Sequence, residues 1–147
     1  MIWVLTSDGN HCRIYSYQRK PADLKLVNEI VHPELRLKAS EYLTDDRSGH
    51  YQARDMARGT YSPHTDPKEI RLIEFAHEIS EYLDQSRKKN LYEKIIMIAS
   101  PHINGLISQH LNKNVEQLIT HNIKKDYMHT TEADLLKFLH ENIYNLM

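Results

Sequence analysis

The apolar positions of this chain change period several times, and each change marks an element. Ile2-Trp3-Val4-Leu5 is a short apolar run that predicts a strand, and Asp8-Gly9-Asn10 behind it supplies a hairpin turn. From His11 to Tyr17 the pattern alternates with period two. It places Cys12, Ile14 and Ser16 on one face and Arg13, Tyr15 and Tyr17 on the other. Lys20-Pro21 ends that run, because proline has no amide proton for a ladder. Leu24 to His32 predicts a third strand, and three short strands in succession predict an antiparallel meander.

Pro33 to Leu43 reads either as a short helix, with Leu35, Ala39 and Leu43 at i, i+4 and i+8, or as an irregular stretch. Residues 44–66 carry no apolar period and predict a polar excursion. Its end is well marked: Asp66 can cap a helix, Pro67 suits the first helical position, and Glu69 stands three residues beyond the cap. Ile70, Ile73, Ala76, either Phe75 or His77, Ile79 and Leu83 then trace a helical stripe to about Arg87.

Glu93 to Ala99 begins charged and continues as an unbroken apolar run, the pattern of a strand buried on both faces. Ser100-Pro101-His102 ends it, and Ile103 to Leu111 predicts a modest helix. Gly105 inside that helix costs about 1 kcal/mol against alanine, which suggests a close backbone approach. Val115 to Asn122 predicts another strand. Thr131 caps a last helix with Asp134 three residues on, and Leu135, Leu136, Leu139, Ile143 and Leu146 face inward. The order β-β-β-α-β-α-β-α predicts an α/β fold, a mixed sheet with helices packed on its faces, formed by residues 1–147 as one domain.

Charge changes this picture little. Nineteen basic residues stand against 20 acidic ones, so no global field draws the chain to nucleic acid or to an anionic membrane. Any RNA contact must come from a local patch. Cys12 is the single cysteine, which excludes an internal disulfide and a thiolate zinc site. No apolar run approaches ~20 residues, and the opening residues are too short and uncharged for a secretory signal, so a cytoplasmic location without membrane contact is expected.

Candidate chemistry is sparse. Asp8 at the end of the first strand could hold a divalent ion only with a second carboxylate nearby, and Ser100-Pro101-His102 at the end of the fourth strand offers none. Asp8 therefore reads as a turn residue. His32 and His102 both follow strands, but a third ligand, Glu34 or His64, is unsupported by any spacing. No metal and no cofactor are expected. Cys12 and His11 point to opposite faces of a strand and cannot act as nucleophile and base. The excursion is richer: Arg47, Arg54 and Arg58 offer guanidinium forks for phosphate or carboxylate, Gly49 permits a tight tip, and His50 or Tyr51 can meet a base. Asp45, Asp46 and Asp55 offset that positive charge, so a solvated loop with internal salt bridges stands beside the recognition reading.

Trp3-Val4-Leu5-Thr6-Ser7-Asp8-Gly9, Cys12-Arg13-Ile14-Tyr15, His32-Pro33-Glu34, Asp46-Arg47-Ser48-Gly49-His50 and the strand Ile96 to Ser100 with Pro101, in this order, resemble the bacterial proteins called host attachment proteins, required for attachment to host cells. That family resembles in turn the middle domain of archaeal and eukaryotic peptide-chain release factors and of Pelota. The resemblance implies a ribonuclease-H-like mixed sheet. It also implies an excursion corresponding to the one that carries a Gly-Gly-Gln tip in release factors. Here Ser48 and Gly49 stand where the two glycines are, His50 replaces the glutamine, and Gln52 lies two residues later. The departure argues against hydrolysis. The expected function is thus a non-catalytic cytoplasmic module that binds RNA, the ribosome or a translation-associated partner through residues 45–58. The alternatives are a protein-binding or self-associating module with an indirect role in attachment, using a sheet edge or the tyrosines of the second strand, and a degenerate peptidyl-tRNA or phosphodiester hydrolase.

Overall fold

The computed structural model describes residues 1–32 and 66–143. Strands β1 (Ile2–Ser7), β2 (His11–Arg19) and β3 (Ala22–Val31) form the antiparallel meander. Helix α1 (Pro67–Lys88) leads to β4 (Lys94–Ala99), which pairs parallel to β1. Helix α2 (Pro101–His110) and a four-residue helix α3 (Lys113–Glu116) precede β5 (Ile119–Ile123), which pairs parallel to β4. Helix α4 (Glu132–Asn142) follows. The sheet order is β3-β2-β1-β4-β5, an open mixed sheet.

Alternation along the strands builds two cores. On one face Trp3, Leu5, Cys12, Ile14, Ile95, Met97 and Ala99 pack against Phe75, Ala76, Ile79 and Leu83 of α1 and Ile103 and Ile107 of α2. On the other, Val4, Tyr15, Tyr17, Leu24, Ile96 and Ile98 pack against Leu135 and Leu139 of α4 and Ile143 beyond it. The unbroken apolar run of β4 is thereby explained, since both of its faces are covered. Phe75, fully buried, occupies the stripe position on α1, and His77 is exposed.

Several expectations are corrected. Strand β3 starts two residues before Leu24 and contains a bulge: Ile14 faces Asn28 and Tyr15 faces Leu26, so Val27 is the extra residue. Leu24 and Ile30 have the same parity yet enter opposite cores, which the inserted residue makes possible. Val115 belongs to α3 and not to a strand, because Asn112 accepts the Asn114 amide and starts a helical turn that buries it. Gly105 marks no close approach, since among the described residues a Cβ there would meet nothing outside its own helix within 4 Å. The caps hold as expected: Asp66 accepts from the Lys68 amide and Thr131 from that of Asp134. Glu69, however, reaches across to His102. Leu35, Ala39, Leu43 and Leu146 lie outside the described residues.

Candidate functional site

The parallel strands β1, β4 and β5 end together at Ser7, Ala99 and Ile123, and the β1–β2 turn and the end of β3 lie at the same pole, with His11 opposite Val31. Open α/β sheets bind ligands outside the carboxyl ends of their parallel strands, where loops diverge from a rigid frame. The pole is therefore the place to look for a site.

Asp8 holds the β1–β2 turn. Its Oδ1 accepts the amides of Asn10 and His11, both at 2.8 Å, as expected for a carboxylate turn residue. Behind it the Ser7 hydroxyl lies within hydrogen-bond reach of the Asp8 and His11 carbonyls. The amide of His32 donates to the Asn10 carbonyl at 2.8 Å, and its buried ring packs on Phe75 with centroids 5.3 Å apart. His102 is instead exposed, with Nε2 2.7 Å from a Glu69 oxygen, an ion pair when protonated. The two histidines therefore have separate tasks: one anchors the end of β3 to α1, the other ties the start of α2 to the start of α1. Glu34 and His64 lie outside the described residues.

The end of β5 is pinned from below. Asn104, fully buried on α2, donates its side-chain amide to Asn122 Oδ1 at 2.6 Å, with the Ile123 carbonyl at 3.4 Å. The chain then turns back over the pole. Asp126 Oδ1 accepts the Met128 amide at 3.0 Å, Met128 is buried, and its carbonyl is 3.4 Å from Arg13 Nη1. This turn brings Asp126 and His129 to Asp8, with one potential ligand atom from each residue within 4.8 Å of the other two. The carboxylate missing from the end of β4 is thus supplied by the loop after β5. Only its place a few residues beyond a predicted strand end could have pointed to it.

Other candidates are placed plainly. Cys12 is fully buried, and burial pushes its thiol far above the ordinary range, so it is core. Tyr15 and Tyr17 lie under α4, where burial raises both phenols, and they present no free aromatic face. Arg47, Gly49, His50, Tyr51, Arg54 and Arg58 lie outside the described residues. The flanks of their segment are placed: His32 at the end of β3, and Asp66 at the start of α1. Both belong to the carboxyl pole, where Leu72 of α1 also approaches Gly9.

Among the described residues no helix is long and apolar enough to cross a membrane. The family model described as "Protein required for attachment to host cells" matches residues 3–139. No curated protein matches the sequence.

Proposed function

The chain belongs to the family of proteins required for attachment to host cells, and from that premise we propose that its molecular role is binding of RNA through residues 45–58. The observation that carries the reading is the composition of that segment, three arginines around Ser48-Gly49-His50, between two flanks that both sit at the carboxyl pole of the sheet. Arg47, Arg54 and Arg58 engage phosphates, Gly49 permits the tip, and His50 or Tyr51 stacks on a base. The reading takes residues 1–147 as one ribonuclease-H-like domain, related to the middle domain of release factors. The β3-β2-β1-β4-β5 order with β2 antiparallel to β1 supports that comparison. It places the chain in the cytoplasm, with the ribosome or another RNA as partner and an indirect effect on attachment.

A second reading is favoured by one observation. Leu26 and Val27, 51% and 44% exposed, lie on the edge strand β3, where a partner protein or a second copy could add a strand. Co-sedimentation from lysate, with and without ribonuclease, separates the two. The RNA reading expects partners that vanish with ribonuclease and with the joint replacement Arg47→Gln, Arg54→Gln, Arg58→Gln. Partners retained under both treatments would contradict it and favour the edge.

A further inference from the structure

We propose that Asp8, Asp126 and His129 form a binding site for one divalent transition-metal ion. Two segments remote in sequence, the β1–β2 turn and the loop after β5, bring two carboxylates and an imidazole together, each with a ligand atom within 4.8 Å of the other two. Donors bound to one tetrahedral ion at about 2.0–2.2 Å stand about 3.3–3.6 Å apart, so the three exposed or half-exposed side chains draw together by at most about 1.5 Å to hold it.

The donor set names the class of ion. Carboxylates alone suit magnesium or calcium, whereas imidazole adds a borderline nitrogen donor suited to zinc and its neighbours in the first transition row. The local charge is also compatible with a cation. Among the described residues neither Asp8 nor Asp126 makes an ion pair. Arg13, which bonds to this loop, is already held by Glu29 at 2.9 Å and by the Met128 carbonyl. Among the described residues, two carboxylates and an imidazole thus stand together with no lysine or arginine paired to either carboxylate.

The fold itself also holds the two aspartates in place. The backbone amides on Oδ1 of each aspartate fix the carboxylates, and the second oxygen of each accepts no hydrogen bond from the described residues. Buried Met128 anchors the loop between Asp126 and His129. Because Asp126 and His129 are exposed, the ion keeps open positions toward solvent, available to water or to an anionic oxygen.

The test uses the full chain, stripped with a chelator and titrated with Zn²⁺ and Mn²⁺ by calorimetry and with Co²⁺ by visible absorption. One ion per chain is expected, with little competition from equimolar Mg²⁺. Asp126→Asn and His129→Ala should each weaken binding more than ~10-fold, at least the loss that removal of a supporting partner of a ligand causes. His140→Ala, which removes an exposed histidine on α4, should leave it unchanged. Asp8→Asn gives a further check, since its amide oxygen can keep the turn while the charge is lost. Circular dichroism establishes that each variant is folded. Absence of saturable one-to-one binding, or equal affinity in the Asp126→Asn/His129→Ala double variant, would overturn the proposal. The arginine reading uses other residues and is untouched by either result.

Discussion

Asn104 is the residue on which the carboxyl pole depends most directly. A fully buried amide on α2 joins the end of β5, and nothing else in α2 offers its bond to Asn122. Asn104→Ala removes that bond and leaves a small cavity, and urea unfolding should show a loss of about 2–3 kcal/mol. Tyr92 governs behaviour in alkali. It packs on Trp3 and donates to the Leu83 carbonyl at 2.7 Å, and burial pushes its phenol up to about 12. Below pH ~10 the phenol is protonated both folded and unfolded, so its contribution is complete. Above that, the unfolded chain releases the proton while the fold retains it, and stability falls until the folded phenol ionises near 12. Tyr92→Phe should cost about 1 kcal/mol at neutral pH and flatten the decline in this window. Buried Cys12, whose thiol is also raised by burial, should add a decline that begins at lower pH and survives in that variant.

At the scale of elements, the strand pattern was legible wherever one physical rule decided it. Alternation set both faces of β2, and the unbroken run of β4 announced two covered faces, because side-chain period is local. Caps at Asp66 and Thr131 were equally local. The bulge at Val27 was not, since it depends on which core each end of β3 must reach. Deleting Val27 restores a regular ladder but turns either Leu24 or Ile30 out of its core. A loss of about 2 kcal/mol or more is expected, the value of burying one such side chain, measurable by thermal or urea unfolding. Val115 misled for a related reason: β-branched residues suit strands, but Asn112 had already begun a helical turn. The meeting of Asp126 and His129 with Asp8 depends on the path of the loop after β5, which no local pattern specifies beyond its place after a strand end.

For the whole molecule, the two-sided packing leaves the carboxyl pole as the end where chain direction, loops and charge converge. The helices cover the faces, and Trp3, Tyr82 and Tyr92 pack together on the helix-covered side at the opposite end of β1. The pole carries Asp8, Glu69, His102, Asp126 and His129 and receives both flanks of the arginine-bearing segment. A chain with net charge −1 has no overall attraction for nucleic acid, so RNA affinity must be local and must depend on those arginines. The direct measurement is fluorescence titration of a labelled single-stranded RNA across a salt series, for the native chain and the Arg47/Arg54/Arg58→Gln variant. The account predicts measurable binding whose logarithm falls linearly with the logarithm of salt, and a slope shallower by about 2 in the variant, roughly 0.7 for each phosphate that an arginine neutralises. Identical affinity and slope in the two proteins would contradict it.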